Sequence, residues 1–213
     1  NKRRIKEVMY NFEYLGFFLG SFCSICLYFL IQPFISDIWL GKEYLLPASI
    51  SLIMVCNLYI SINRQAIIYY LRLSGNHNYL IKPTLVESIV NIVISLSLAY
   101  LIGLNGVLVG TLVSAIISHF LSVRHYNRFV EQRPSKYWLR QLLFLGVTLI
   151  EGSVIYIISG IVKITNPIIS FLFTGIICVV ITWLVILFVI LKNKKLDIFI
   201  RILKRVKIYK AND

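Results

Sequence analysis

Six apolar stretches, each long enough to cross a lipid bilayer, leave this chain few ways to fold. The hydrocarbon core of a bilayer is about 30 Å thick, so a helix rising about 1.5 Å per residue needs about 20 apolar residues to cross it. The stretches occupy residues 10–35, 45–71, 80–102, 104–126, 138–161 and 166–191 of the 213. Inside lipid every backbone N–H and C=O must find its partner within the spanning structure, and an α-helix achieves that segment by segment. The expected fold is therefore all-α: a polytopic membrane protein with six transmembrane helices in residues 1–192 and a separate basic tail in residues 193–213. Composition points the same way. With 58% hydrophobic and 15% charged residues, against about 25% charged in ordinary soluble domains, a soluble enzyme, a secreted disulfide scaffold and a disordered region are all excluded.

Prolines punctuate these stretches. Pro33 falls near the end of the first, and Pro47, Pro83 and Pro167 are expected in first turns, where a missing N–H costs least. Pro134 is expected in a polar loop. Charge then fixes an orientation. Alternate loops and the tail hold Lys2, Arg3, Arg4 and Lys6, then Arg72 and Lys82, then Arg124, Arg128, Arg133, Lys136 and Arg140, then eight Lys and Arg residues from Lys192 to Lys210. The other loops hold only Lys42 and Lys163, and Arg64 lies within a span. By the positive-inside rule the basic loops and both termini of this segment face the cytoplasm, which predicts a multi-pass protein of a bacterial cytoplasmic membrane.

The tail repeats Leu196, Ile200, Leu203 and Val206 at helical spacing among Lys194, Lys195, Arg201, Lys204, Arg205 and Lys207. Such a pattern suits a basic interfacial helix on anionic lipids; an ordinary positive-inside anchor is the alternative. The net charge of +13 does not indicate nucleic acid, because the basic residues separate apolar runs instead of forming a patch with interleaved aromatics. Cys23, Cys26, Cys56 and Cys178 all fall inside apolar runs and read as packing residues. His77, His119 and His125 are scattered at or near cytoplasmic ends or loops, without metal-ligand spacing. No phosphate cradle or nucleophile motif is present, so no enzyme activity, catalytic residue or metal site is expected. The first residue is Asn and no signal peptide precedes the first span, so the chain is expected to be a fragment whose start lies upstream.

A charge at mid-bilayer costs roughly 2.5–3.5 kcal/mol on insertion scales, so each one needs a reason. Glu13 lies within a turn of the cytoplasmic end and is expected to reach the headgroups. Arg64 is flanked by Asn63 and Gln65, with Asn57 and Ser61 on nearby turns. Glu87 belongs to a stripe of Thr84, Glu87, Asn91 and Ser95 at three-to-four spacing on the next span. Arg64 is twelve residues before Asn76 and Glu87 eleven after it, so the two should lie at one depth. Either they line a hydrated cavity or they pair to hold two helices together, and the two readings are compatible. Glu151 sits near the centre of the fifth span. Gly16 and Gly20, Gly106 and Gly110, and the stripe Ser170, Thr174, Cys178 and Thr182 read as seams where helices approach closely.

Several runs resemble a known family. PFISDIWLGKEYLL, from Pro33 to Leu46, resembles the segment that ends one helix and opens the next in polysaccharide flippases; Asn63-Arg-Gln-Ala66, Glu87 with Asn91 and Ser95, and Gly103, Gly106, Gly110 and Thr111 follow in that family's order. Together they resemble Wzx-like O-antigen and capsular polysaccharide flippases of the multidrug/oligosaccharidyl-lipid/polysaccharide exporter superfamily, over about residues 33–128. The resemblance implies a larger two-lobed transporter, of which this chain is the C-terminal part, moving undecaprenyl-diphosphate-linked oligosaccharide between leaflets. Its partners would be that lipid-linked oligosaccharide, anionic lipids at the tail, and other polysaccharide-assembly membrane proteins. On chemical grounds Arg64 would face the anion; Asn57, Asn63, Gln65, Asn91 and Ser95 would meet sugar hydroxyls beside Glu87; and Glu87 and Glu151 would bind a coupling H⁺ or Na⁺, the chain needing no other cofactor. A drug exporter of the same superfamily is the alternative within transport. A polytopic polymerase or glycosyltransferase is the alternative from another class, but the outer loops at about 36–44, 103–105 and 160–165 are too short for its chemistry.

Overall fold

In the computed structural model the chain is described for residues 2–130, 134–162 and 164–192, with side chains for 8–127, 134–162 and 164–189. All the regular structure in these residues is helical. Six α-helices follow one another: α1 (Lys2–Pro33), α2 (Ala48–Leu73), α3 (Asn78–Ile102), α4 (Leu104–Val130), α5 (Pro134–Ile161) and α6 (Pro167–Lys192). Each is long and apolar enough to cross a membrane, and the chain is a multi-pass all-α membrane protein. The basic tail, residues 193–213, lies outside the described residues.

The helices overrun the apolar windows at several ends. α1 begins at Lys2 and α4 continues to Val130, because backbone hydrogen bonding continues into water where hydropathy no longer requires it. Two proline expectations need correcting. Pro134 opens α5 instead of lying in a loop, and Pro83 sits in the second turn of α3 instead of the first. Pro33 falls near the end of the first span, where α1 stops. After Pro33 the chain widens into a π-helical turn, Phe34–Trp39, closed by Leu40 N–H and Gly41 N–H donating to the Ile35 carbonyl at 3.0 and 2.9 Å. Gln32 secures this end, its amide donating to the Leu46 carbonyl at 2.6 Å and to Ser51 Oγ at 2.8 Å.

Consecutive helices run antiparallel through short connections. α3 and α4 are separated by Gly103 alone, at φ +60°, and the turn after α2 uses Gly75 at φ +73°. Both need left-handed backbone that a side chain disfavours. α4 and α2 form the middle of the bundle: α3 packs on α4, α4 on α2, α2 on α1 and α1 on α6, while α5 bridges α1, α4 and α6. Lys2–Lys6, Arg72, Lys82, Arg124 and Arg140 then lie toward one end, called the basic end below.

The glycine seams are real. A Cβ on Gly106 would strike the Leu98 backbone, and one on Gly110 the Ser95 backbone, so α4 lies directly on α3. Gly16 and Gly20 similarly admit Asn63 and the Tyr59 carbonyl of α2. On α6, Cys178 and Thr182 are fully buried, Cys178 beside Ile25 of α1 and Ile155 of α5. All four cysteines are free. The outward faces, such as Leu96, Leu101, Leu142 and Phe188, are apolar and exposed, as a helix surface in lipid requires.

Candidate functional site: two arginine–carboxylate pairs and a lone carboxyl

Arg64 of α2 and Glu87 of α3 meet, with Arg64 Nη1 2.7 Å from Glu87 Oε2. Their side chains retain 13% and 25% exposure because they face a cavity of about 390 Å³. Gln65, Tyr69 and Arg72 of α2, Thr84 of α3 and Ser118 and Ser122 of α4 share its walls. Gln65 and Arg72 lie one and eight residues beyond Arg64, on the turns that face the same gap. The walls thus combine two guanidinium groups, one carboxylate, an amide and three aliphatic hydroxyls. Among the described residues Arg64 Nε is buried without a partner, so the guanidinium keeps a donor to spare beside its bond to Glu87. This is a concave, cationic, hydrogen-bonding wall within helices that cross a membrane.

The other polar residues of the two stripes go elsewhere. Asn57 donates to the Leu108 carbonyl of α4 at 3.2 Å. Asn63 turns to the opposite face of α2, is buried against Gly20 and donates to the Tyr59 carbonyl at 2.9 Å. Ser95 donates to Asn91 Oδ1 at 2.6 Å and Thr111 to the same oxygen at 3.4 Å, within the α3–α4 seam. The structure therefore gathers Arg64, Gln65 and Glu87 around one cavity and places Asn57, Asn63, Asn91 and Ser95 in helix contacts. The three-to-four spacing of Thr84, Glu87, Asn91 and Ser95 put them on one face of α3; that face is then shared between cavity and seam as α4 closes over its far half.

A second charge pair lies where the sequence placed none. Glu13 is 2% exposed and does not reach headgroups. Arg140 of α5 holds its Oε2, with Nε at 2.8 Å and Nη2 at 2.5 Å, and Tyr126 of α4 donates to Oε1 at 2.5 Å. The guanidinium also lies 4.6 Å from the centroid of the Tyr10 ring. Beside this network Tyr137 is fully buried, its hydroxyl 3.2 Å from His119 Nε2. His119 is accordingly an interior residue of α4, not one at a helix end or in a loop. Arg140 likewise belongs to the bundle interior, two turns into α5, because a buried carboxylate recruits it. A sequence signal existed: Glu13 and Arg140 sit at similar depth near the same end of parallel helices, the depth argument that paired Arg64 with Glu87. Ser118 and Ser122 were also legible, at four-residue spacing on α4.

Glu151 is the third interior carboxyl, also 2% exposed. Ser21 of α1 donates to its Oε2. Near it a mostly apolar cavity of about 470 Å³ opens between α1, α2 and α5, lined among others by Ser24, Tyr28, Phe29, Thr148, Ser153 and Tyr156. Among the described residues no group of three His, Cys, Asp or Glu side chains is placed to hold a metal ion. No protein-family model, curated protein or solved structure matches this chain.

Proposed function

We propose that the chain is the C-terminal part of a membrane flippase that carries an undecaprenyl-diphosphate-linked oligosaccharide across a bacterial cytoplasmic membrane, with its basic loops in the cytoplasm. The observation that supports this reading is the Arg64–Glu87 pair at the wall of a polar cavity inside the membrane-crossing bundle. A cargo of sugar hydroxyls and phosphates needs a hydrogen-bonding, cationic route through hydrocarbon, with irregular or polar surface only where it lines a cavity. Arg64 supplies a permanent charge and a fork of donors suited to phosphate. Gln65, Thr84, Ser118 and Ser122 supply neutral hydrogen-bonding groups beside it. The Glu87 carboxylate holds Arg64 when no anion does, and a phosphate entering the cavity competes for the same guanidinium.

The test uses the full-length transporter. Arg64→Ala should abolish polymer export while protein abundance is largely retained, and Arg64→Lys should restore export only in part, because an ammonium lacks the bidentate fork. Unchanged export by Arg64→Ala removes Arg64 from the mechanism. Orientation is checked by single cysteines: an impermeant reagent added outside should label position 42 or 163 and not 133. One observation favours a second reading, export of an apolar drug: the larger cavity carries the aromatic walls Tyr28, Phe29 and Tyr156. Drug sensitivity on loss of the protein, with polymer export intact, would select that reading.

A further inference from the structure

Three carboxyl groups lie in the interior of the described bundle, and only two of them meet a guanidinium. Glu13 is held by Arg140 and Glu87 by Arg64. Among the described residues no positive charge lies beside Glu151. From α1 this carboxyl meets Ser21, with Ser24 one turn on; α2 contributes Tyr59; one turn beyond Glu151, Ile155 packs with the buried Cys178 of α6 and with Cys26 of α1, and Thr182 is the next buried residue along α6. Tyr59, Cys26 and Cys178 are the titratable groups nearby, and all three are neutral in their ordinary form. An ionised carboxylate enclosed this way would face burial with one hydroxyl donor and no countercharge, which the interior of a membrane protein tolerates poorly.

Hydroxyl oxygens near this position stand without partners. Ser24 Oγ and Thr182 Oγ1 are both buried and accept no hydrogen bond from the described residues. A hydroxyl can donate as well as accept, yet neither of these donates to Glu151, which leaves Ser21 as its one hydroxyl donor among the described residues; the protonated acid, unlike the carboxylate, also has an O–H of its own to donate. The cavity of about 470 Å³ borders this seam through Ser24, Thr148, Gly152 and Ser153, Gly152 being the chain neighbour of Glu151, and its hydroxyl groups are partners for water molecules.

We propose that Glu151 is a proton-binding site: it is carried as a neutral carboxylic acid between α1, α5 and α6 and exchanges its proton through the cavity beside Ser24 and Thr148. Binding adds one proton to the free carboxylate oxygen, Oε1, while Oε2 keeps the Ser21 hydrogen bond; release leaves an anion that the seam has no group to neutralise. Protonation therefore favours the closed α1–α5 contact and deprotonation loosens it. The site stands on its own geometry and does not depend on which cargo the Arg64 cavity carries.

The experiment is labelling of the purified chain, in lipid nanodiscs, with a hydrophobic carbodiimide, which attacks protonated carboxyl groups, followed by peptide mass spectrometry across pH 5 to 9. The expected result is modification of Glu151, several-fold stronger than at Glu13 or Glu87, falling as pH rises. Modification of Glu13 or Glu87 with Glu151 spared would overturn the proposal. So would protection of Glu151 by sodium chloride but not by choline chloride at equal ionic strength, which would make the site one for a metal cation. Infrared spectroscopy covers the case in which the reagent does not reach the seam: the carbonyl stretch of a buried protonated carboxyl should be present and should vanish in Glu151→Gln. Its absence in the unmodified protein refutes the assignment, whatever the export assay on Arg64 gives.

Discussion

The α3–α4 hairpin and the α1–α5 seam hold together by opposite means. In the hairpin the backbones touch: Gly106 and Gly110 leave no room for a Cβ against Leu98 and Ser95, and Ser95, Asn91 and Thr111 stitch the surface with short-range hydrogen bonds. Along the α1–α5 seam side chains do the joining, and polar and apolar contacts alternate: Glu13 with Arg140, Phe17 stacked on Phe144 at 4.4 Å between ring centroids, Ser21 with Glu151, and Ile25 packed with Ile155. Lipid is as apolar as leucine, so burying leucine against leucine gives helices little reason to associate. Close dispersion contact is one solution and buried polar pairing is the other. A hairpin joined by one residue needs only the first. α5 reaches α1 across more than a hundred residues of intervening chain, and directional charge pairing fixes both its partner and its register.

The largest effect should come from breaking the ionic end of the α1–α5 seam. Arg140→Ala leaves Glu13 buried with only Tyr126, and removal of one partner of a buried pair costs about 3–5 kcal/mol. Reversible unfolding in detergent should show that loss, together with disappearance of a cysteine cross-link engineered between α1 and α5. The neutral double variant Glu13→Gln with Arg140→Met should be more stable than either single variant. Equal losses in all three would mean that the pair contributes packing and not charge compensation.

Next comes the hairpin. Gly106→Leu places a side chain where the Leu98 backbone lies, and such overpacking costs about 1–3 kcal/mol. Cross-linking between α3 and α4 should fall while the α1–α5 cross-link persists, which separates the two seams. Ser95→Ala removes the Ser95 hydroxyl that also reaches the Val107 carbonyl of α4 at 3.2 Å and should cost less, about 0.6 kcal/mol, the average for interhelical hydrogen bonds in membranes; a loss of several kcal/mol would show that polar pairing dominates the hairpin too. The smallest change belongs to Gly152→Ala. Nothing lies within 4 Å of a Cβ there, so stability should stay within about 0.5 kcal/mol. A large loss would mean that α5 lies closer to its neighbours than the side-chain seam requires.

The two seams also differ in how far the sequence announces them. Glycines four apart and a polar stripe on the adjoining span are local patterns, and they place α3 on α4 before any coordinates are known. The Arg64–Glu87 pair was legible for the same reason: one short turn fixes both residues at a common depth, and both are expensive in lipid. From the sequence alone Glu13 belongs to the headgroup region and Arg140 to a basic loop, because each lies near a helix end. Nothing local says that α5 crosses α1 there. Asn63 shows the converse. Its position beside Arg64 and Gln65 suggested a shared cavity, yet neighbouring residues on a helix point about 100° apart, and Asn63 faces Gly20 on α1.

By itself the sequence determined that this is an all-α chain of six membrane-crossing helices, because apolar length and backbone hydrogen bonding allow little else in lipid. It also determined the hairpin and the common depth of Arg64 and Glu87, where one short turn fixes both heights. The tertiary structure alone decided which face of each helix meets which neighbour. It thereby decided that Glu13 is compensated by Arg140 and that Glu151 meets no countercharge among the described residues. The physical reason is that a helix in lipid gains little from burying an apolar face, so hydrophobic periodicity carries no address, and the pairing of a few polar side chains across long stretches of chain sets the arrangement.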